Sequence, residues 1–279
     1  MVTMSDETMT NPRAERVKQV RALAQRSVRR RAGAFLVEGP QSVREAVAEV
    51  PARVRELYVG PDAGARYADV VDAARGAGVR VRAGTAEVLD AMSPDAQQLV
   101  AVVEAVVPTR ADVLARGPRL VAVLAQVRDP GNAGTVVRAA DAAGADGVVL
   151  TGASVDLHNP KVVRSTAGSL FHLPVATGGE LADVVADLRA AGLAVLAADG
   201  RGEHDLDGLL DVAGRAPAGV PDLAAPTAWV FGNEAWGMSD EDRALADAVV
   251  RVPIRGRAES LNLATAAAVC LFASARAQR

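Results

Sequence analysis

The stretch from Leu120 to Thr151 constrains the fold more than any other part of the chain. It contains an apolar run at residues 120–125, a glycine-containing loop, an Ala- and Val-rich helical pattern at 133–143 that ends at Gly144, and a second apolar run at 147–151. A strand, a helix and a second strand in this order form a crossover with parallel strands and a right-handed connection. The segment therefore predicts an α/β fold built on a parallel sheet.

The same alternation of apolar runs and helical patterns extends in both directions. After this crossover we predict strands at residues 193–198, 228–231 and 249–252, helices at 160–166, 181–191 and 239–246, and a loop with at most one short helix at 201–226. Before it we predict helices at 13–28, 41–49, 68–76 and 86–92 and strands at 35–37, 54–59, 79–82 and 99–107. The chain is thus expected to contain a disordered tail at 1–12, a small α/β domain at 13–107, a linker at 108–118 and a second domain at 119–279.

Composition excludes several classes of site. The chain has 279 residues, half of them hydrophobic, which is enough for a large core, but only 3% are aromatic, so stacking of nucleobases is not expected to dominate binding. Cys270 is the single cysteine, which excludes an intramolecular disulfide and a thiolate metal site. We expect no metal, no membrane span and no signal peptide, and hence a soluble cytoplasmic protein.

The net charge of −3 conceals an uneven distribution. Between Arg13 and Arg31 eight basic residues accompany one acidic residue, and from Arg251 onward five arginines accompany one acidic residue. Two basic ends on an acidic chain indicate contact with a polyanion. The alternative for the first segment is an ordinary solvated helix face.

Three polar motifs interrupt the apolar pattern of the second domain. The first, residues 129–138, follows a strand and begins a helix, a position where free N–H groups bind phosphates. It lacks the G-x-G-x-x-G spacing of dinucleotide enzymes, which disfavours an oxidoreductase. Its Arg138 stands among apolar residues, and the plain alternative is an exposed arginine paired with Asp141.

The second motif, residues 229–239, is a buried strand followed by a glycine turn that presents Glu234. Loops at the carboxyl ends of parallel strands are where open α/β sheets bind ligands. The third motif, residues 252–275, is a loop leading to a helix that is apolar nearly all round and is expected to be buried on several sides. Ser260 is the predicted N-cap of that helix, and Asn262 either assists the capping or serves a site.

In this order and spacing the motifs resemble the SpoU, or TrmH-type, branch of the SPOUT RNA methyltransferases. The resemblance covers residues 120–279 and rests on Asn132 with Arg138, on Gly232-Asn233-Glu234, and on Pro253 with Glu259-Ser260-Leu261-Asn262. Upstream, Phe35 to Pro40 after the basic helix looks like the start of the family's substrate-binding domain, which has an L30e-like fold.

The resemblance implies a catalytic domain whose parallel sheet carries a C-terminal trefoil knot, which binds S-adenosylmethionine, and a homodimer whose active sites combine motifs from both subunits. Gly232, Val252 and Leu261 would line the cofactor pocket. The residues implied in catalysis are Asn132, Arg138, Arg164, Glu234, Ser260 and Asn262.

The implied reaction is methylation of a ribose 2′-hydroxyl in RNA. The L30e-like domain favours large-subunit ribosomal RNA as the substrate, with transfer RNA as the alternative. A non-catalytic RNA-binding assembly factor on the same fold is disfavoured because the motif residues are all present. Arg138 is expected to clamp a phosphate and stabilise developing alkoxide charge rather than act as a base, since a guanidinium stays protonated.

Overall fold

The computed structural model describes residues 8–279 and divides into two compact units. The first unit comprises the described chain up to Val106 together with His158–His172, and the second comprises Val107–Leu157 and Leu173–Arg279. Most of the predicted tail at 1–12 lies outside the described residues. Within its described part, Met9 forms an isolated parallel bridge with Gly84.

The first unit is a four-stranded mixed sheet, counted over its described residues, with helices on both faces. Its elements are α1 Glu15–Ala22, α2 Arg26–Ala32, β1 Ala34–Glu38, α3 Pro40–Glu49, β2 Val54–Val59, α4 Pro61–Arg66, α5 Ala68–Gly76, β3 Arg80–Ala83, α6 Ala86–Met92 and β4 Leu99–Glu104. The strand order is β1-β4-β2-β3, with β3 at an edge and parallel to β2, and with both pairings of β4 antiparallel.

Alternating side chains of this sheet enter two separate cores. On one face Phe35, Leu57 and Val81 pack with residues of α3 and α5. On the other face Leu36 and Tyr58 pack with residues of α1 and α6. Strand β1 thus buries both faces, which explains why its sequence is apolar at successive positions.

The predicted helix at 13–28 is wrong in its extent, because the chain forms two helices with a break between them. Arg29 is the physical reason: its side chain is buried, and its Nη1 donates to the carbonyl oxygens of Leu23 and Ala24 at 3.0 and 2.7 Å. Those carbonyls lie at the end of α1, where helical partners are missing. One of the eight basic residues of this segment therefore serves the fold.

The second unit is a parallel sheet, as predicted, with seven strands among the residues that the structure describes. Its elements are α7 Arg110–Leu114, β5 Leu120–Leu124, α8 Pro130–Ala142, β6 Gly147–Leu150, β7 Val175–Thr177, α10 Leu181–Ala190, β8 Ala194–Ala198, β9 His204–Asp205, α11 Leu206–Asp211, β10 Thr227–Phe231, α12 Asp240–Ala244, β11 Ala248–Arg251 and α13 Leu263–Ala277. Between β6 and β7 the chain supplies α9 Pro160–Ser165 and a 3-10 turn Ser169–Phe171 to the first unit.

The strand order is β7-β6-β5-β10-β8-β11-β9. The chain runs outward from β5 through β6 to β7 and then returns to the other side of β5, where β10 inserts between β5 and β8. The direction of winding reverses at this point, so the loops that follow β5, β8, β10 and β11 surround one crevice. All three motifs lie in or next to these loops.

The terminal helix α13 begins two residues later than predicted. Asn262, not Ser260, is its N-cap: the Asn262 Oδ1 accepts hydrogen bonds from the backbone N–H groups of Ala264 and Thr265 at 2.9 and 3.3 Å. Its inner face is buried as expected, and burial raises the pKa of the Cys270 thiol to about 12. Its outer face is exposed, so the prediction of burial on several sides holds for only part of the helix.

Two further differences concern short elements. Strand β7, with three residues, was not predicted, because so short an apolar run has no measurable periodicity. The 201–226 stretch holds the one short helix allowed for it, α11, and also the two-residue strand β9. Across residues 8–279 no helix is long and apolar enough to cross a membrane.

Candidate active site

A cavity of about 370 Å³ lies at the carboxyl ends of β8, β10 and β11. Its walls come from the loops after those strands and from the start of α13: Ala198, Asp199, Gly200, Arg201, Phe231, Gly232, Asn233, Glu234, Ala235, Gly237, Val250, Val252, Ile254, Glu259, Ser260, Leu261, Leu263 and Ala266. The three residues predicted to bind the cofactor, Gly232, Val252 and Leu261, are all among them. Loops at this edge of a parallel sheet are the usual ligand site of such folds.

A chain of three polar side chains joins the motifs at this edge; we call it the amide relay. Asn262 Nδ2 donates to Asn132 Oδ1 at 3.0 Å, and Asn132 Nδ2 donates to Glu234 Oε1 at 3.3 Å. The two contacts span 130 and 102 residues of sequence. The structure therefore brings together one predicted catalytic residue from each motif.

The direction of the relay is fixed by its two ends. The Glu234 carboxylate can only accept, so Asn132 must offer it the amide nitrogen and turn its oxygen toward Asn262. Asn262 must then offer its own nitrogen, and its oxygen faces the free N–H groups at the start of α13. Asn262 thus caps α13 and also contacts Asn132, and its role in a site stays a prediction.

Glu234 also holds the first motif through the backbone. Its two carboxylate oxygens accept hydrogen bonds from the N–H groups of Arg128 and Asp129 at 3.3 and 3.1 Å. The neighbouring Asn233 donates its Nδ2 to the carbonyl oxygen of Gln126 at 2.8 Å. The loops after β5 and β10 are thereby tied to each other at several points, which makes the position of Asn132 well defined.

Gly232 permits the close approach that shapes the cavity wall. A Cβ at this position would lie 2.7 Å from both the carbonyl carbon and the carbonyl oxygen of Gly237, closer than real Cβ contacts. Asn233 and Gly237 are paired across the turn by two backbone hydrogen bonds of 2.9 Å. The turn is therefore compact only with glycine at position 232.

Two of the other predicted catalytic residues are exposed. Arg138 lies on α8 six residues after Asn132, which places it about 120° around the helix from the relay. Ser260 is exposed in the loop before α13 and lines the cavity. Both side chains are accessible to a substrate.

Arg164 belongs to the first unit, whereas the three residues of the relay belong to the second. It lies on α9, within the first unit, where its Nη1 contacts Glu38 Oε2 at 3.1 Å and Asp95 Oδ2 at 2.8 Å. Glu38 is buried and also accepts from the Ser93 hydroxyl at 2.7 Å. In this structure Arg164 neutralises a buried carboxylate, and its catalytic role stays a prediction.

Asp199 is a site residue that the sequence analysis missed. It follows β8 directly, lines the cavity, and contacts the guanidinium of Arg243 at 3.2 Å. Burial raises the pKa of Asp199, but the backbone and side-chain hydrogen bonds from Arg201, with the charges of Arg201 and Arg243, outweigh burial and leave the pKa below its ordinary value. The sequence feature that could have identified Asp199 is its position directly after a buried parallel strand.

Trp236 is a second residue missed from the sequence. It is 55% exposed in the turn that carries Glu234, and the guanidinium of Arg128 lies 5.2 Å from its ring centroid, a cation–π geometry. The pair places an aromatic face and a positive charge beside the relay. The sequence feature that could have identified this residue is a tryptophan within a glycine-containing turn.

Open parallel topology and a cavity at the winding reversal define the class of open α/β ligand-binding folds, and comparison with known proteins identifies the family. Residues 119–272 match the model of the SpoU rRNA Methylase family, and residues 14–101 match the MRM3-like substrate binding domain. The chain belongs to the SpoU rRNA methylase family.

Three relatives illustrate how much of the chain this similarity covers. The chain is 34% identical to a 23S rRNA (uridine(2479)-2'-O)-methyltransferase of Streptomyces viridochromogenes over 91% of this chain and 86% of that protein. It is 31% identical to the 23S rRNA (guanosine(2553)-2'-O)-methyltransferase RlmP of Bacillus subtilis, over 92% and 95%. A crystal structure of an AdoMet-bound rRNA methyltransferase from Sinorhizobium meliloti superposes with a TM-score of 0.79 at 30% identity and covers 97% of both chains.

Proposed function

We propose that this protein is an S-adenosylmethionine-dependent RNA 2′-O-methyltransferase whose substrate is large-subunit ribosomal RNA. The observation that carries the proposal is the amide relay, because it joins the three motifs beside a cavity at the winding reversal. The names of the two relatives support the substrate class. Ribosomal RNA as the substrate also supports a cytoplasmic location.

The cavity suits S-adenosylmethionine. Gly232 lets the Gly237 carbonyl close the turn that forms one wall, and the apolar side chains of Val252 and Leu261 offer surface to an adenine ring. The carboxylate of Glu259 also lines the cavity and would attract a positively charged ligand. When bound, S-adenosylmethionine supplies an electrophilic methyl group.

The predicted catalytic residues divide the remaining work. Arg138 is a permanent cation that can hold a phosphate next to the target ribose and stabilise negative charge as the 2′-oxygen loses its proton. Asn262 and Ser260 would orient the ribose. Asn132, held between Glu234 and Asn262, keeps the two loops in register. Arg164, which is also predicted to be catalytic, would help to position the RNA.

A homodimer is part of the proposal. The outer face of α13 presents Val269 and Phe272, which are 40% and 49% exposed, between Thr265 and Arg276 at helical spacing. This helix packs against α8, whose Arg138 is also exposed. An apolar stripe of this kind needs a cover, and a second copy would place its own α8 beside the cavity.

The trefoil knot implied by the resemblance is also proposed for this chain. Its support is the insertion of β10 between β5 and β8, together with the packing of α13 against α8, β5 and β10. Trp229 of β10 donates its indole N–H to the buried Ser274 hydroxyl of α13 at 2.8 Å, which fixes the terminal helix to the centre of the sheet.

The test is incubation of the pure protein with methyl-labelled S-adenosylmethionine and separate pools of unmodified ribosomal and transfer RNA, followed by nuclease digestion and mass spectrometry of the nucleosides. A 2′-O-methylnucleoside from the ribosomal pool is expected. Label on a base would overturn the ribose chemistry, and label in transfer RNA alone would overturn the substrate. Cofactor binding without transfer to either pool would favour a non-catalytic RNA-binding protein.

A further inference from the structure

The first unit carries an arginine cluster around one buried carboxylate, Glu56, on the sheet face covered by α1 and α6. Its origin is visible in the edge strand β3, where Arg80 and Arg82 flank Val81. Because strand side chains alternate, Val81 enters the core on the opposite face and both arginines share the face of Glu56. The pairing register sets Arg80 opposite Glu56 on β2.

Glu56 is contacted by three guanidinium groups. Arg82 Nε lies 3.0 Å from Oε1, Arg80 Nη1 lies 3.6 Å from Oε1, and Arg16 Nη1, from α1, lies 3.4 Å from Oε2. The Glu56 side chain is only 10% exposed, whereas those of Arg16 and Arg80 are 48% and 65% exposed. The acid is therefore buried beneath arginines that reach the surface.

Glu56 is ionised. Burial raises its pKa, but the hydrogen bonds from Tyr58 and Arg82 and the charges of Arg16 and Arg82 outweigh burial, so that the pKa lies below the ordinary value. The Tyr58 hydroxyl donates to the Glu56 carboxylate, and burial with this contact raises the pKa of Tyr58, which keeps the phenol protonated. The carboxylate thus holds Arg82 by a hydrogen bond and keeps Arg16 and Arg80 close by charge.

A fourth arginine, Arg55, lies beside this group. It lines a cavity of about 540 Å³ together with Arg16, Arg80, Glu56, Tyr58 and others. Arg55 is held by hydrogen bonds of 2.9 Å from Nη1 and Nη2 to the carbonyl oxygens of Ala32 and Gly33. We call Arg16, Arg55, Arg80, Arg82 and Glu56 the Glu56 cluster. Four guanidinium charges against one carboxylate leave a net charge of +3.

The fold does not require this excess of positive charge. Arg82 alone, hydrogen bonded at 3.0 Å, together with Tyr58, would satisfy the buried Glu56. The exposed guanidinium groups of Arg16 and Arg80 keep most of their five N–H donors for another acceptor. Planar donors of this kind match the oxygens of a phosphate diester, which accept hydrogen bonds in pairs.

We propose that the Glu56 cluster binds backbone phosphates of the RNA substrate. The inference rests on the proposed function, which supplies the RNA, and it assigns the contact to a defined site in the domain at residues 14–101. Glu56 acts as a positioning residue that orders the arginines before RNA arrives. The cluster contacts the sugar-phosphate backbone and reads no base, so it strengthens binding to many RNA sequences equally.

The test uses the full-length double variant Arg16→Gln/Arg80→Gln and an unmodified in vitro transcript of large-subunit ribosomal RNA. Binding is measured over a salt series of about 50 to 200 mM. We expect about tenfold weaker binding and a slope of log affinity against log salt that is lower in magnitude by about 1.5, since each lost phosphate contact removes about 0.7 to 0.9. KM for the transcript rises by the same factor while kcat at saturating RNA is kept.

The matched control is Arg66→Gln/Arg75→Gln. It removes the same charge from exposed arginines of α4 and α5, elements of the helical layer that packs on the opposite sheet face. We expect its affinity within about twofold of wild type, because screened, non-contacting charges contribute little. The test variant retains Arg82 and Tyr58 as partners of Glu56, so its unfolding midpoint should match that of the control.

The possible outcomes separate the two proposals. Equal weakening by both double variants would show a general effect of charge and overturn the site. A wild-type protein that methylates the transcript, with unchanged affinity and salt slope in the test variant, would also overturn the site but leave the proposed function standing. A wild-type protein that binds the transcript through this cluster and transfers no methyl group would refute the proposed function alone.

Discussion

Substitution of Asn262 by Asp separates the two roles of this side chain. An aspartate at this position still accepts the N–H groups of Ala264 and Thr265, but it cannot donate to Asn132. Rotating the Asn132 amide does not repair the contact, because the amide oxygen would then face the Glu234 carboxylate. Whichever way Asn132 turns, one contact of the relay sets acceptor against acceptor.

The expected magnitudes follow from these contacts. Asp and Asn are comparable N-caps, and a negative charge is favourable at a helix N-terminus, so Asn262→Asp should unfold within about 2 °C of wild type. Both contacts of the relay are exposed, so the two loops can relax into water at little cost in stability, but returning them to the relay geometry for the reaction should cost about 2 kcal/mol, or roughly 30-fold in kcat. Asn262→Ala loses the cap as well and should be less stable by about 1 kcal/mol.

The assay combines thermal unfolding with methyl transfer to ribosomal RNA at saturating S-adenosylmethionine. We expect Asn262→Asp to have a low kcat and wild-type stability, and Asn262→Ala to have a low kcat and a lower unfolding temperature. An Asp variant with wild-type kcat would show that Asn262 is a helix cap and nothing more. An Asp variant as unstable as the Ala variant would show that the assignment of the cap is wrong.

Four other substitutions test separate parts of the second unit. Arg138→Ala should lower methyl transfer by about 100-fold or more while calorimetry shows S-adenosylmethionine still bound; loss of binding as well would contradict a role in charge stabilisation. Gly232→Ala should weaken cofactor binding by about tenfold or more, since the new Cβ must displace the Gly237 carbonyl, and wild-type affinity would refute that reading. Ser274→Ala should cost about 1 to 3 kcal/mol in urea unfolding because it orphans the buried indole N–H of Trp229, and an unchanged midpoint would contradict this. Asp199→Asn should lower stability at neutral pH by an amount that shrinks as pH falls below about 4, because a carboxyl with a depressed folded-state pKa stabilises only while it is ionised; a difference independent of pH would argue against the ion pairs.

The sheet of the second unit could be predicted because its strands are continuous apolar runs separated by helical patterns, as buried parallel strands require. Loops after strand ends indicated a ligand site, but the assignment of Gly232, Val252 and Leu261 to a cofactor came from the family resemblance, and the structure places all three in one cavity wall. The relay could not be predicted: its contacts join Asn132 to residues more than a hundred positions away, and local sequence carries no record of them. Ser260 and Asn262 are both good caps, and only the path of the loop decides between them.

The break after α1 shows the same limit on a smaller scale. The pattern of Val17 and Val20 continues to Val28, so periodicity favoured one helix. A buried Arg29 that donates to the Leu23 and Ala24 carbonyls stabilises a break instead, and a basic residue in a basic segment gave no sign of this. Likewise α9 follows the first crossover in sequence, yet its Val163 packs in the core of the first unit.

That last placement has a consequence for synthesis on the ribosome. A nascent chain ending at Val106 has all four strands of the first unit but lacks α9, so the pocket for Val163 stays open and Glu38 lacks its arginine. Completion must wait until His172 has emerged, by which time β5, α8 and β6 are already outside the exit tunnel. The two units therefore cannot mature strictly one after the other, and a chain truncated at Val106 should be less stable than the same unit within the whole protein.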